Sequence, residues 1–156
     1  HVRQLCWEYR DYLRGFGPAE RAITDAFYPT TKYSDLMDRL DQIHARPRGA
    51  IWVVDAQGKV EGCGMIQPFT TTAAEIKRVY LRPALRGTGA GAALVTALVD
   101  QARNDGYHRL LLDTSKGLTG ARTLYKRLGF VERGPYADVP PEMLPNLCFY
   151  ELSLTE

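Results

Sequence analysis

The chain has 156 residues, of which 45% are hydrophobic and 24% are charged, a composition typical of a globular protein with one sizeable core. Its net charge of +2 argues against a strongly basic nucleic-acid-binding surface, and it lacks the apolar run of roughly 18 residues that would span a bilayer. Cys6, Cys63 and Cys148 lie far apart and form no CxxC pair. We therefore predict a single domain over residues 1–156, no metal site, no nucleic-acid or membrane partner, and a reducing, cytoplasmic location.

The first third of the chain is predicted to contain two amphipathic helices. Val2–Phe16 places apolar side chains three and four positions apart, and Ser34–Ala45 repeats this pattern behind a serine that can cap a helix. The segment between them, Gly17–Tyr33, contains Pro18 and Pro29, so we expect a loop or a short helix there.

The middle of the chain is predicted to alternate strands with one long helix. Ala50–Asp55 and Lys59–Phe69 flank a turn typical of a β-hairpin, and Ala74–Leu81 is a third strand. A helix over Gly89–Asp105 then precedes a short apolar strand, Arg109–Asp113. This strand–helix–strand order requires a crossover between two parallel strands.

The last third is predicted to form a helix, a short strand, a proline-rich loop and a final strand. These elements cover Thr119–Leu128, Phe130–Glu132, Gly134–Pro145 and Leu147–Leu154, in that order. The whole set predicts an α/β or α+β fold, in which helices flank a mixed, mostly antiparallel central sheet.

A glycine-rich segment, Arg86-Gly-Thr-Gly-Ala-Gly91, lies between the third strand and the long helix. Glycines at alternate positions let backbone N–H groups approach a ligand closely, and the first N–H groups of a helix have no partner within it. Together with the helix dipole and the charge of Arg86, they predict an anion site suited to a pyrophosphate.

Two other interpretations of this segment exist. The glycines can simply form a tight turn, or Gly87-x-Gly89-x-x-Ala92 can be a dinucleotide-binding fingerprint with Asp113 as the ribose-binding acid. The dinucleotide interpretation is disfavoured because residues 82–86 separate the strand from the glycines, and because the chain has only one strand–helix–strand unit.

Two motifs resemble those of the GCN5-related N-acetyltransferase (GNAT) superfamily. Arg86–Gly91 is similar to the family's R/Q-x-x-G-x-G/A motif, and Ala121–Phe130 resembles its A-x-x-L-Y-x-x-x-G-F segment. The order of elements is also similar, although the strand that usually opens the family's fold is not evident. The resemblance implies a GNAT-like fold and transfer of an acetyl group from acetyl-CoA to a primary amine in a ternary complex. An acyl-CoA-binding module with little catalysis and a peptide or protein N-acetyltransferase are the alternatives.

The resemblance implies that acetyl-CoA is the acyl donor and locates its binding site. Strand backbone at Val79, Tyr80 and Leu81 is expected along the pantetheine arm, and an N–H group near Val79 or Tyr80 is expected to stabilise the oxyanion. The pyrophosphate is expected to contact Arg86, Gly87, Thr88, Gly89, Ala90, Gly91 and Ala92.

One position departs from the family pattern. Leu118 stands where many members have an asparagine that bonds the pantetheine. Thr114, Ser115 and Thr119 are the candidates to replace this contact.

The resemblance also implies two catalytic residues. Tyr125 matches the tyrosine near the cofactor sulfur, where a phenol with an ordinary pKa near ~10 can protonate the departing thiolate. Glu75 matches the general-base glutamate of the histone-acetyltransferase branch, and strand alternation would place it on one face with Lys77, Val79 and Leu81. A core role for Tyr125, an ion pair of Glu75 with a neighbouring cation, and a water relay remain the alternatives.

The acceptor is expected between the two N-terminal helices and the Gly134–Pro145 loop, which close the cleft in similar proteins. Aromatic side chains in and near these segments are expected to supply apolar surface there, namely Trp7, Tyr9, Tyr12, Phe27, Tyr28, Tyr33 and Tyr136. A small-molecule amine is the first expectation, and an amino acid, an antibiotic-like amine and a peptide terminus stay open, as does a homodimer.

Overall fold

The computed structural model describes residues 1–155, and in this part of the chain six α-helices accompany six strands. The helices are α1 (Val2–Arg14), α2 (Pro18–Phe27), α3 (Thr30–Asp38), α4 (Leu40–Ile43), α5 (Ala90–Asn104) and α6 (Thr119–Arg127). The strands are β1 (Ala50–Ala56), β2 (Lys59–Pro68), β3 (Ala73–Leu81), β4 (Arg109–Ser115), β5 (Val131–Arg133) and β6 (Leu147–Ser153). No helix of residues 1–155 combines the length and the apolar character that a membrane crossing needs.

The six strands form one sheet in the order β1-β2-β3-β4-β6-β5. Every neighbouring pair is antiparallel except β3 and β4, which α5 connects as a parallel crossover. The hairpin between β1 and β2 turns at Gln57 and Gly58, whose φ angles of 54° and 81° are those of a type I′ turn. The predicted mixed, mostly antiparallel sheet with flanking helices is confirmed.

Each face of the sheet carries its own apolar cluster. The α5 cluster packs α5 and α6 on one face and includes Ile76, Leu98 and Tyr150. The α1 cluster packs α1 and α3 on the other face and includes Leu5 and Met65. The sheet is therefore covered on both sides, as expected for strands that bury both of their faces.

The N-terminal region agrees with the sequence prediction only in part. The short helix allowed for Gly17–Tyr33 is present as α2, and Pro18 occupies its first turn, where a missing N–H costs nothing. Ser34 is not a helix cap, because α3 has already begun at Thr30, behind Pro29. The predicted helix over 34–45 is interrupted at Arg39, whose φ of −112° lies outside the helical range.

The strands β3 and β4 pair only briefly. Their register covers Ala73–Glu75 against Arg109–Leu111, and beyond these residues the two strands diverge. This divergence leaves the backbone of the second half of β3 available to a ligand on that side.

A bulge interrupts β3 in its divergent half. The register with β2 skips Arg78 and Val79, and Arg78 has a φ of +50°, which is uncommon for a side chain other than glycine. Val79 packs with the α5 cluster, whereas Tyr80 belongs to the α1 cluster. The prediction that Glu75, Lys77, Val79 and Leu81 share one face is therefore wrong, because the bulge reverses the alternation.

Candidate active site

A cavity of about 560 Å³ opens where β3 and β4 diverge, and it extends between α1, α5 and α6. We call it the larger cavity. Most of the residues predicted to bind the donor line it, namely Val79, Tyr80, Leu81, Arg86, Gly87, Gly89, Gly91 and Ala92. Thr88 and Ala90, the other two predicted residues, are not among its lining residues.

The glycine-rich loop has the backbone geometry of an anion site. Gly87 and Gly89 have φ angles of +75° and +87°, and a Cβ atom built at either position would point into open space. Gly89 is the N-cap of α5, so the first-turn N–H groups of this helix follow it directly. The Thr88 hydroxyl donates a hydrogen bond to the carbonyl of Leu85 and helps hold the turn. Open backbone donors at a helix N-terminus suit a phosphate.

Arg86 is held beside this loop by two kinds of contact. Its guanidinium carbon lies 4.3 Å from the centroid of the Tyr12 ring, and its Nε donates to the carbonyl of Leu81 at 3.2 Å. The side chain is exposed and borders the larger cavity. Its fixed positive charge therefore lies at the cavity without a carboxylate to neutralise it in residues 1–155.

Tyr125 belongs to the core and to the larger cavity at once. Its ring packs edge-on against Phe130, with 5.7 Å between centroids, and it also lines the cavity. Burial, and secondarily the negative charge of Asp113, raise the pKa of the phenol above its ordinary range. The hydroxyl is therefore protonated at neutral pH and is able to donate a proton.

A second cavity, of about 260 Å³, adjoins the first and is called the smaller cavity. Helices α1 and α2 and residues 137–139 of the proline-rich loop contribute to its walls. Of the segments predicted to bind the acceptor, Val2–Phe16 and Gly134–Pro145 contribute lining residues, whereas Ser34–Ala45 contributes none and α2 lines the cavity instead. Its aromatic lining includes Tyr9, Phe27 and Tyr28. The two cavities share Tyr9, Ile76, Arg78, Asp113, Thr114 and Leu118 as lining residues.

Glu75 lies in the wall of the smaller cavity, where neighbours hold its carboxylate. Gln67 donates a hydrogen bond to Oε1 at 3.0 Å, and Tyr136 donates to Oε2 at 2.6 Å. The ammonium nitrogen of Lys77 lies 3.3 Å from Oε2. Burial alone would lower the pKa of Lys77, but Tyr28 and the carboxylates of Asp113 and Glu75 raise it above its ordinary range. The alternative interpretation of Glu75 as an ion-pair partner is therefore realised in the structure.

Asp113 lies at the junction of the two cavities. Its side chain is exposed to them, and its carboxylate takes part in none of the hydrogen bonds or ion pairs found among residues 1–155. Because the cavity walls enclose it, the pKa of its carboxyl is raised. The sequence singled out this residue only for the disfavoured dinucleotide interpretation, since a polar residue near a strand end carries no local signal of a cleft.

The structure separates the candidates for the contact that asparagine makes in many GNAT proteins. Leu118 is buried and lines both cavities. The Ser115 hydroxyl is already engaged as a donor to Glu20 at 3.0 Å, whereas Thr114 and Thr119 line the larger cavity. Either threonine is placed to offer a hydroxyl to a ligand there.

Known proteins share both the sequence pattern and the fold. The model of the acetyltransferase (GNAT) family matches residues 8–130, a range that includes the glycine-rich loop and Tyr125. The chain is similar to the uncharacterized N-acetyltransferase YjgM of Escherichia coli, with 38% identity over 97 residues, which are 60% of this chain and 58% of that protein. It is also similar to IAA acetyltransferase of Azospirillum brasilense, with 35% identity over 144 residues, 92% of this chain and 85% of that protein.

The fold is similar to that of a solved acetyltransferase of the GNAT family from Staphylococcus aureus. The TM-score is 0.76, and the match covers 98% of this chain and 93% of that one at 12% sequence identity. Sequences this different can still share a fold, so the match extends the likeness over nearly the whole chain at the level of architecture.

Proposed function

The chain belongs to the acetyltransferase (GNAT) family, and from this membership we propose that it moves an acetyl group from acetyl-CoA to the primary amine of a small molecule. The observation that best supports this function is the meeting of two cavities where β3 and β4 diverge. Direct transfer requires the reacting atoms of two bound molecules to lie side by side, and adjoining cavities allow this within a ternary complex.

The larger cavity suits the donor along its length. Acetyl-CoA supplies the acetyl group as a thioester, with sulfur as the leaving atom. The glycines at positive φ and the first turn of α5 offer backbone donors to the pyrophosphate, and Arg86 adds a positive charge. The backbone of Val79, Tyr80 and Leu81 borders the same cavity where β3 has left β4, so it can pair with amide groups of the pantetheine as a strand would.

Tyr125 and the bulge in β3 are the proposed catalytic groups on the donor side. The Tyr125 phenol, whose pKa is raised by burial, holds its proton until a basic thiolate departs. Arg78 and Val79 lack register partners on β2, and Val79 lines the larger cavity, so its N–H group is the proposed donor to the developing oxyanion.

The acceptor amine must lose a proton before it attacks, and Glu75 is the base that the sequence predicts. Its place in the smaller cavity and its 6% exposure support this role. Its oxygens, however, are already held by Gln67, Tyr136 and Lys77. The assignment of Glu75 stays a prediction.

The smaller cavity favours a small cationic acceptor. Its volume of about 260 Å³ is just below the usual range for small-molecule sites, so it admits a small amine or a single side chain or chain terminus. Aromatic side chains and the carboxylates of Glu20 and Asp138 line it, and these groups attract an ammonium group on an apolar body. Amino acids and a short peptide are therefore included as candidate acceptors in the experiment below.

Release of free thiol from acetyl-CoA, measured against a panel of aliphatic, aromatic and amino-acid amines and one short peptide, tests this proposal. We expect at least one small amine to accelerate thiol release over the amine-free rate. Acceleration by the peptide alone would favour the peptide N-acetyltransferase, and no acceleration by any amine would favour a binding module. Sedimentation of the same protein would check the homodimer, which stays a prediction.

Thermal unfolding in the presence of candidate donors separates the cofactor classes. Acetyl-CoA should raise the unfolding midpoint through binding to the folded state, and NAD or NADP should leave it unchanged. Stabilisation by the dinucleotides and none by acetyl-CoA would contradict the proposed donor.

A further inference from the structure

Asp113 and Glu75 lie on the same face of the sheet, but only Asp113 borders both cavities. It lies two residues after Leu111, the last residue of β4 that pairs with β3, and therefore on the same strand face as Leu111 and its partner Glu75. Beyond that pair the strands have diverged, so Asp113 borders both cavities, whereas Glu75 borders only the smaller one. Of these two strand carboxylates, Asp113 is the one that borders the cavity lined by Tyr125.

The two carboxylates also differ in what already binds them. Glu75 accepts hydrogen bonds from Gln67 and Tyr136 and pairs with Lys77, so both of its carboxylate oxygens already have partners. The carboxylate of Asp113 has no such contact within residues 1–155, and its side chain is open to the cavities. Its lone pairs are therefore available to a bound molecule.

We propose that Asp113, rather than Glu75, is the catalytic base that takes the proton from the acceptor's ammonium group. This inference rests on the acetyl transfer proposed above. One ammonium proton passes to the Asp113 carboxylate, the nitrogen bonds to the thioester carbonyl carbon, and the carbon–sulfur bond breaks as sulfur takes the phenol proton of Tyr125. The second nitrogen proton returns to Tyr125 through water, and Asp113 releases its proton to solvent. The products are an amide, a thiol and one proton.

The surroundings of Asp113 suit a base that works closer to neutral pH than an ordinary aspartate. Enclosure by the cavity walls raises the pKa of its carboxyl, the Lys77 ammonium opposes this, and the charge of Glu75 adds to it. A general base is most effective when its pKa approaches the working pH. The titratable groups that face Asp113 are Glu75 and Lys77 on β3, Tyr9 on α1, Tyr125 on α6 and Tyr136 in the loop before β6.

The pH dependence of kcat/KM in Asp113→Asn and Glu75→Gln tests this proposal, with the amine that the thiol-release panel identifies. Asp113→Asn should lower kcat/KM at pH 7 by about 100-fold or more. In the wild type, kcat/KM should level off above the pKa of Asp113. In Asp113→Asn, kcat/KM should instead keep rising with pH up to the pKa of the amine, because without the base only amine that is already neutral in solution can react. Glu75→Gln should retain an acidic inflection, moved toward lower pH because the charge of Glu75 no longer raises the pKa of Asp113.

Two results would overturn the assignment of Asp113, and a third measurement shows whether the Asp113→Asn variant is folded. An unchanged inflection in Asp113→Asn, or its loss in Glu75→Gln alone, would overturn it. Asp113→Asn must also keep the wild-type unfolding midpoint and its stabilisation by acetyl-CoA, since a misfolded variant would lose both. If the wild type turns over and the Asp113→Asn profile is unaltered, Asp113 is wrong and the proposed function stands; if the wild type accepts no amine, the proposed function itself fails.

A titration that needs no acceptor gives an independent readout. The carboxyl carbon of Asp113, assigned by its absence in Asp113→Asn, can be followed by 13C NMR in the protein saturated with coenzyme A. We expect it to titrate above the ordinary aspartate value of about 3.9. Titration at or below that value would overturn the proposal whether or not an acceptor is known.

Discussion

The hydroxyl of Tyr125 can be removed without disturbing the packing of its ring. The ring contacts Phe130 and Tyr150 in the α5 cluster, and these contacts persist in Tyr125→Phe. If the hydroxyl protonates the departing sulfur, the variant should bind acetyl-CoA as the wild type does, while its turnover falls at least about tenfold. Thiol release under saturating acetyl-CoA, with binding followed by calorimetry, measures both quantities.

A matched control lies in the same cluster. Tyr150 is fully buried and its hydroxyl accepts a hydrogen bond from Nε of Arg122 at 3.1 Å, but it lines neither cavity. Tyr150→Phe should lose some stability and keep its turnover within about twofold, since a lost hydrogen bond costs on the order of 1 kcal/mol. Equal losses of turnover in the two variants would return Tyr125 to a purely structural role.

The two ends of α5 provide a test of the glycine-rich loop at the level of the element. Gly89 precedes the helix and Gly106 follows it, and both have a φ of +87° with open space where a Cβ atom would lie. Replacement of either by alanine forces a side chain into the left-handed region, at a cost of about 1–2 kcal/mol. The two variants should therefore show similar losses in urea-induced unfolding.

Only the Gly89 variant should also affect the donor. Its new methyl group would stand at the N-terminus of α5 beside the proposed pyrophosphate, whereas Gly106 is outside both cavities. We expect calorimetry to show acetyl-CoA affinity reduced at least about tenfold in Gly89→Ala and unchanged in Gly106→Ala. A common, small effect on affinity would assign the glycines to turn formation alone.

The same elements show what the sequence could reveal. The apolar spacing of α5 and the glycines before it are local signals, and both the helix and the cavity-lining loop were predictable from them. The bulge at Arg78 was not, because neither Arg78 nor Val79 is a residue that marks a left-handed backbone. The divergence of β3 from β4, and with it the position of Asp113, depends on packing between segments that are distant in the sequence.

At the scale of the whole molecule, the sheet lies between the two apolar clusters, and its strand β3 borders both cavities. The bulge in β3 directs the Arg78 side chain toward the α1 cluster, where its Nε contacts the sulfur of Met65 at 3.4 Å. Its terminal nitrogen lies 2.8 Å from Nε2 of His44, just beyond α4. The segment after α4 thus supports the strand that borders both cavities. That residues 1–156 form a single domain stays a prediction.

His44 makes the stability of this arrangement depend on pH. Arginine can only donate, so Nε2 of His44 must accept from Arg78, and Nδ1 must carry the proton that it donates to the carbonyl of Ile66 at 2.8 Å. The ring is therefore neutral in the folded protein. Burial, followed by the charges of Arg78 and Lys77, lowers its pKa to about 4, although the Ile66 carbonyl opposes this.

Because the folded pKa lies below the unfolded value of about 6.5, the unfolded chain binds more protons between these two values. The contribution of neutral His44 to the free energy of unfolding is therefore complete above about pH 6.5. As the pH falls toward 4, up to roughly 3 kcal/mol of this free energy is lost. His44→Gln should lower the free energy of unfolding at pH 7 and make it depend less on pH over this range. Urea titrations of the wild type and the variant at several pH values measure the difference.

The exposed His108 supplies the matched control, since His108→Gln changes the same residue type outside the core. Its unfolding free energy should follow the wild-type curve. Carboxylates with lowered pKa values, such as Glu8 and Asp105, also destabilise the protein in acid, but they are common to all three proteins and cancel in the comparison. Parallel curves for the wild type and His44→Gln would show that the pKa of His44 is not lowered in the folded protein.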